Sequence, residues 1–402
     1  MNIFVINSGS SSIKYQMIKM PEEALACSGL VERIGAGDAA ITHNTFKDGK
    51  KEKHESQLHI RNHVEGLQAV VNLLTDSKIG VIKDTSEIDA VGHRVVHGGE
   101  KFSNISIITN SVKEEIKKLF PLAPLHNPAN YRGIEVAEKV FPSAKQIAVF
   151  DTSFHQAMPE KAFRYAIPNK FYTENGIRAY GFHGTSHKYV SEKAQDYLKK
   201  KDIKVITLHL GNGCSMAAVK DGQCIDTSMG FGPMNGLIMG TRAGDIDQSI
   251  IFHMVREMGI SVDQVNNILN KESGMLGLTG ANDMRDINQA VEANNHDAIL
   301  AMDMYAYRAK KYIGSYFAAL NGADAIVFTA GVGENDVNTR ERICSDLDAL
   351  GIVMDKEKNR STGVNGIKDI SDATSKVKIL VIPTNEEMEI ARQCYQLMET
   401  FK

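Results

Sequence analysis

One pattern constrains this chain more than any other: a strand that stops at a run of small residues occurs twice, half a chain apart. Ile3-Phe4-Val5-Ile6 ends at Asn7-Ser8-Gly9-Ser10-Ser11-Ser12 and resumes as Ile13-Lys14-Tyr15-Gln16-Met17-Ile18. Val205-Ile206-Thr207-Leu208 runs into His209-Leu210-Gly211-Asn212-Gly213-Cys214-Ser215, then Met216-Ala217-Ala218-Val219. Each reads as two strands joined by a small-residue turn. Gly9 and Gly211 lie 211 − 9 = 202 positions apart in a chain of 402. A second echo pairs Ile88-Asp89-Ala90-Val91, before Gly92-His93-Arg94-Val95-Val96-His97-Gly98-Gly99, with Ala323-Asp324-Ala325-Ile326-Val327-Phe328, before Ala330-Gly331-Val332-Gly333-Glu334-Asn335. Here the offset is 324 − 89 = 235, so the second copy carries an insertion of 235 − 202 = 33 residues. Repetition of this kind predicts an internal duplication, and the length suits two domains at roughly 100–200 residues each.

Helical patterns lie between the strands. Ser186 to Lys200 places Tyr189, Val190, Ala194, Tyr197 and Leu198 on one side, as an amphipathic helix does. Asp247 is positioned to cap a helix carrying Ile250, Ile251, Met254, Val255 and Met258. His296 to Leu320 is a long apolar-periodic stretch. Val377 to Ile382 reads as a strand stopped by Pro383, and Thr384-Asn385-Glu386-Glu387 has capping-box spacing for a final helix through Met398. Alternating strands and helices predict an α/β fold. No low-complexity linker separates the halves, so the domains are expected to meet across a cleft.

The composition excludes several partners. Lys+Arg 46 against Asp+Glu 49 gives a net charge of −3, which makes nucleic acid and anionic membranes poor partners. No apolar run approaches the roughly 18 residues of a membrane span. The N-terminus has no basic segment before its apolar residues, unlike a signal peptide. Five cysteines without a C-x-x-C pair read as reduced thiols, so the expected location is cytoplasmic.

The chemistry is expected in the loops. No Walker lysine motif, third fingerprint glycine, nucleophile elbow or H-E-x-x-H helix is present. Instead, small-residue turns end strands at residues 7–12, 92–99, 209–215 and 331–335. Such turns let backbone N–H groups point into a concavity that fits phosphate oxygens. One such turn alone is a plain turn; four, two of them duplicated, point to phosphate binding. Arg94 follows a strand inside a glycine turn, while Arg242 and His183 each stand just before a helix start. An anion there gains from free amides and the helix dipole, and arginine adds a planar fork matched to phosphate or carboxylate. Asp151 follows Gln146-Ile147-Ala148-Val149-Phe150, at the carboxyl end of a strand, where open α/β sheets place their ligands. Mg²⁺ on nucleotide phosphates needs only one or two carboxylates plus water, and Asn7, Asp151 and Glu386 could supply that shell only if both halves converge on one cleft.

Taken together these residues resemble the acetate kinase family. The resemblance rests on Val5 to Lys14, Gly92 to Gly99, Pro124-Leu125-His126-Asn127-Pro128, Phe150 to His155, Gly181-Phe182-His183-Gly184-Thr185-Ser186-His187, His209 to Gly213, Gly240-Thr241-Arg242 and Thr384 to Glu387. It implies duplicated actin-like (ribonuclease H-like) ATPase domains facing each other across a cleft. The first would span 1–151, completed by a C-terminal helix at 386–402; the second, nucleotide-binding, would span 152–385. It implies reversible in-line phosphoryl transfer from ATP to acetate, giving acetyl phosphate and ADP, with Mg²⁺ (or Mn²⁺ in its place), in a homodimer. Asn7, Asp151 and Glu386 match the family's metal positions, and Arg94, His183 and Arg242 its transition-state clamp. Lys14, His209-Leu210-Gly211-Asn212-Gly213, Asp283-Met284-Arg285 and Gly331-Val332-Gly333-Glu334-Asn335 match its nucleotide contacts. Val96, Leu125, Phe182 and Pro233 match the apolar pocket for the acetate methyl group. The chain departs from the family at Gly232-Pro233-Met234-Asn235-Gly236, where Thr-Pro-Leu-Glu-Gly is usual, and at Gln248, where proline is usual. The rival readings are a propionate or butyrate kinase using the same machinery and an actin- or Hsp70-like nucleotide switch.

Overall fold

The structure, a computed structural model, describes residues 1–47, 50–361 and 366–401. Lys402, the last residue of the expected C-terminal helix, lies outside the described residues. The chain forms two compact units, Met1–Ser153 with the C-terminal segment from Asn385, and Phe154–Thr384.

The first unit is built on an eight-stranded sheet of β1 (Asn2–Ser8), β2 (Ile13–Lys19), β3 (Ala24–Glu32), β4 (Ala39–Lys47), β5 (Lys50–Leu58), β6 (Ala90–Val95), β7 (Ser106–Ile107) and β8 (Lys145–Phe150), in the order β5-β4-β3-β2-β1-β6-β8-β7. The continuous apolar run of β1 is buried because strands flank it and both faces are covered. β5, Lys-Lys-Glu-Lys-His-Glu-Ser-Gln-Leu, is almost wholly exposed, and its charges suit an edge that must not pair with another chain. The C-terminal helix Glu386–Glu399 packs on β1 and β6. A Cβ at Gly92 would lie 2.7 Å from Ile390 and 2.9 Å from Cys394, so only glycine lets this helix lie against β6.

The second unit holds a six-stranded sheet of β9 (Lys204–Leu210), β10 (Cys214–Lys220), β11 (Gln223–Thr227), β12 (Ala325–Thr329), β13 (Lys368–Asp369) and β14 (Lys378–Val381), in the order β11-β10-β9-β12-β14-β13. Its first five strands repeat the run β3-β2-β1-β6-β8 in order and sense. In each, three antiparallel strands are followed by two strands parallel to the first of the chain. The strand starts reproduce both sequence offsets, 204 − 2 = 202 and 325 − 90 = 235. The duplication read from the sequence is therefore the architecture, a mixed α/β fold with two related sheets.

Local expectations fare unevenly. His296–Leu320 is one helix, and Asp247 caps Gln248–Arg256 by accepting from Ser249 N. The amphipathic helix expected from Ser186 starts two residues earlier, at Gly184. Arg94 lies within β6 rather than in the turn, because its backbone pairs in parallel with Val149. Residues 331–335 form a short helix, Ala330–Asn335, not an open turn. Thr384 is not the final N-cap: Asn385 accepts from Met388 N instead, while Thr384 N donates to Glu334 Oε1 and its hydroxyl bonds Ser186.

Candidate active site

In the first unit, β6 and β8 run parallel and side by side, which brings Arg94 to Asp151 just past the end of β8. The Arg94 guanidinium grips both carboxylate oxygens, with Nε at 3.1 and 3.0 Å and Nη2 at 2.6 Å. Asp151 is almost completely buried. Burial opposes the charge on Arg94, but Asp151, Glu386 and Glu387 together raise its pKa. The fork is thus fixed along one edge, and its Nη1 has no protein hydrogen bond among the described residues. Lys14, opposite Asn7 in the β1–β2 hairpin, pairs with Glu387 at 2.5 Å. Glu386, the first residue of the C-terminal helix, has its pKa raised, first by burial and then by the charges of Asp151 and Glu387, with Arg94 and Lys14 opposing. Three acids therefore face two bases, and the surplus negative charge falls on Glu386.

That surplus is the test of a metal at this place. Asn7, Asp151 and Glu386 offer hard oxygen donors, and a divalent cation relieves the charge that pushes Glu386 toward its neutral form. Among the described residues no three His, Cys, Asp or Glu side chains converge to hold a metal unaided. Mg²⁺ keeps several waters and needs only one or two carboxylates beside substrate phosphates, which Asp151 and Glu386 could provide. The donor set fits.

In the second unit, His183 caps Gly184–Leu198 with a left-handed backbone, φ +57°. Its Nδ1 lies 2.9 Å from Ser215 Oγ, which lies 2.7 Å from His187 Nε2; His187 Nδ1 in turn meets Thr207 Oγ1 at 2.7 Å. Burial, with help from His155 and His209, holds the His187 pKa well below its ordinary value, so His187 is neutral. Thr207 Oγ1 donates to the Ala217 carbonyl. His187 Nδ1–H then donates to Thr207, Ser215 donates to His187 Nε2, and Ser215 is left to accept from His183 Nδ1–H. Nε2 of His183 is the nitrogen that faces outward from this chain of bonds. The ring also stacks on His209, centroids 4.3 Å apart, and His209 Nδ1 is held by Ser186 Oγ at 2.8 Å.

Arg242 completes this half. Its Nη1 donates to the Pro233 carbonyl at 2.9 Å and reaches Met239 Sδ at 3.8 Å. No carboxylate pairs with it among the described residues, and burial lowers its pKa. An unneutralised, partly buried guanidinium is costly unless an anion joins it. The place for that anion is marked by Gly213: a Cβ there would stand 3.6 Å from Arg242 Nη1 and from His183 Nε2. A guanidinium and an imidazole thus converge over a glycine in the β9–β10 turn, and any side chain at 213 would fill the space between them.

Beside this turn lies a cavity of about 810 Å³, a size typical of small-ligand pockets. Of the expected nucleotide contacts, Gly211, Asn212, Asp283, Met284, Arg285, Gly331, Val332 and Asn335 line it. His209, Leu210, Gly213, Gly333 and Glu334 do not. Leu210 is buried in β9, and Glu334 is spent on the backbone, Oε1 accepting from Ala330 N and Thr384 N. Lys14 belongs to the first unit. The expected apolar pocket is likewise divided: Val96 (buried) and Leu125 (67% exposed) are in the first unit, Phe182 (buried) and Pro233 in the second. Sequence reasoning missed Asn282, Asn288, Tyr305, Asp336 and Asn338 on the cavity wall. It also missed Ser215, Ser186 and Thr207 behind the histidines, since isolated hydroxyls and amides carry no spacing signal.

Residues 2–392 match the profile of the acetokinase family. The acetate kinase of Flavobacterium johnsoniae is 59% identical over 399 residues, 99% of this chain and all of that one. A crystal structure of Porphyromonas gingivalis acetate kinase superposes with a TM-score of 0.92 at 43% identity, covering 99% of both chains. A propionate kinase from Francisella tularensis gives 0.90 at 42% identity over 98% of both. With its duplicated sheets and full-length match, this chain belongs to the acetokinase family.

Proposed function

We propose that the protein is an acetate kinase, transferring the γ-phosphoryl group of ATP to acetate and, in reverse, from acetyl phosphate to ADP. The observation that carries this is Arg242, a guanidinium with no carboxylate, poised with His183 over Gly213 beside a cavity of nucleotide size. The second unit is assigned the nucleotide, with Arg242 and the outward nitrogen of His183 meeting the equatorial oxygens of the moving group. The first unit is assigned the acceptor: Arg94 Nη1 holds the acetate carboxylate, and Lys14 serves the phosphates. Acetate is ionised at neutral pH, so its oxygen attacks phosphorus without a general base. One O–P bond forms as the bond to the β-phosphate oxygen breaks, and ADP leaves. Such a loose transition state asks for alignment and charge neutralisation. Asn7, Asp151 and Glu386 would hold Mg²⁺, which supplies neutralisation of the outer phosphates when bound.

Val96, buried in the first unit with the proposed acceptor side, supports a short acyl chain. The likeness to a propionate kinase makes propionate the second reading, and one methylene is worth only about 1–3 kcal/mol of discrimination. A homodimer is supported by the helix Gln248–Arg256, which carries Ile250, Ile251 and Phe252 yet buries none of its residues. A reducing, cytoplasmic setting is supported by five free cysteines, all buried, and no helix among the described residues is long and apolar enough to cross a membrane.

The test is acetyl phosphate formation by the purified protein, trapped as the hydroxamate, with acetate, propionate or butyrate as acceptor. Acetate-dependent product supports the proposal. A higher kcat/KM with propionate moves the assignment to the second reading, and ATP hydrolysis indifferent to any carboxylate overturns both.

A further inference from the structure

We infer that Arg308 and Tyr312, on the helix His296–Leu320, are positioning residues for Arg242, acting through the loop that carries it. The inference rests on the reading of Arg242 as the group that meets the transferred phosphoryl.

Arg242 sits in a loop that closes on itself. Asp245 N donates to the Gly236 carbonyl at 3.0 Å, and Gly236 N donates to Asp245 Oδ1 at 2.7 Å. The limbs pass backbone against backbone: a Cβ on Gly244 would stand 2.4 Å from the Leu237 carbonyl oxygen and 2.6 Å from that of Gly236. From within this loop, Arg242 Nη1 donates at 2.9 Å to the carbonyl of Pro233, on the limb that leads into the closure at Gly236. The direction of the guanidinium is therefore set by where Pro233 stands relative to residue 242, which is set by the Gly236–Asp245 closure.

Two side chains from far along the chain hold that closure. Arg308 Nη1 donates to the Gly236 carbonyl at 2.8 Å and its Nη2 to the Asp245 carbonyl at 3.1 Å, one donor for each limb. The Tyr312 hydroxyl donates to Asp245 Oδ2 at 2.7 Å, fixing the carboxylate whose other oxygen receives Gly236 N. Residues four apart share a helix face, so one face of a 25-residue helix presents both groups. A planar fork suits this bracing role, because two carbonyls with fixed spacing match two N–H groups with fixed spacing. An ammonium cannot span them in the same way. Neither residue lines the nucleotide cavity, but Tyr305 on the same helix does, and its hydroxyl meets Cys214 Sγ beside the β9–β10 turn at 3.2 Å. One rigid element thus sets both the cavity wall and the clamp.

The experiment compares Arg308→Gln, Arg308→Lys and Tyr312→Phe, alone and in an Arg242→Lys background, by kcat, KM for ATP and acetate, ADP affinity by calorimetry, and melting temperature. A displaced catalytic group costs up to about 10²-fold. Arg308→Gln is expected to lower kcat by about 10- to 10²-fold with ADP affinity and KM for ATP unchanged. Arg308→Lys recovers part of the loss, and the milder Tyr312→Phe loses several-fold. Because the brace acts through Arg242, Arg308→Gln costs no more than about twofold further in the Arg242→Lys background, as groups acting as a unit are non-additive. Losses that multiply in the double variant, or a fall in ADP affinity matching the fall in kcat, overturn the inference, as does normal turnover of both Arg308→Gln and Tyr312→Phe. If Arg242→Lys itself turns over normally, the reading of Arg242 fails; a slow Arg242→Lys beside normal Arg308→Gln and Tyr312→Phe sinks the brace alone.

Discussion

The two units share a five-strand core, yet they treat charge in opposite ways. In the first, the guanidinium at the end of the fourth core strand is neutralised by a buried carboxylate, Asp151, and the neighbourhood is left with surplus acid on Glu386. In the second, Arg242 stands beside His183 over Gly213 with no carboxylate paired to it among the described residues. A duplicated scaffold thus carries a neutralised arginine in one half and an arginine without a carboxylate partner in the other, the contrast on which the proposed assignment of acceptor and nucleotide rests.

The sharpest way to break this comparison is to remove each arginine. Arg242→Leu is expected to lower turnover by about 10³–10⁵-fold, the worth of a clamping arginine in phosphoryl transfer. Its melting temperature should hold or rise, because an unpaired, partly buried charge has gone. Near-normal turnover in the folded variant removes Arg242 from the clamp. Arg94→Leu should behave differently: breaking the buried Arg94–Asp151 ion pair costs about 3–5 kcal/mol, read by urea unfolding. If the two leucine variants lose equal stability, the contrast between a paired and an unpaired arginine is wrong.

Smaller effects sharpen the picture. Val96→Ala is expected to favour propionate over acetate by up to about 200-fold in kcat/KM; an unchanged ratio shows that Val96 does not meet the acyl chain. Acid should weaken the first unit through His93 and His97, whose pKa values burial lowers to about 4. Both are neutral in the fold, so below about 6.5 the unfolded chain takes up protons that the folded chain refuses. Stability therefore falls as pH drops from about 6.5 to about 4, by at most about 1.4 kcal/mol per pH unit for each histidine, and levels off below. His93→Gln should shallow that slope, and thermal melts across the range check it.

Much of this was legible from the residues. The duplication showed because a buried strand ending in a small-residue turn is a strong local signal, and β1/β9 and β6/β12 kept their spacing. Arg94, His183, Arg242 and Asp151 were legible as charged groups at strand ends and helix starts. What could not be read was pairing at long range. That Arg94 grips Asp151, 57 residues on, depends on β6 and β8 lying side by side, and the Ser215–His187 support of His183 depends on three elements meeting. The C-terminal cap illustrates competition: Thr384 has the right spacing, but Ser186 and Glu334 claim it first, and Asn385 takes the role.

The division of labour between the units turns on what Asp151 does. It is assigned to the metal and to Arg94, not to proton abstraction, since acetate arrives ionised. The direct measurement is the Mg²⁺ dependence of kcat for wild type, Asp151→Asn and Arg242→Lys from pH 5.5 to 8, about the span in which a general base would titrate. The expected result is a metal requirement shifted upward only in Asp151→Asn, with saturating Mg²⁺ or Mn²⁺ recovering part of its rate and no acid limb in wild type. An unchanged metal requirement in Asp151→Asn, together with the loss of an acid limb present in wild type, would make Asp151 a base and contradict that division.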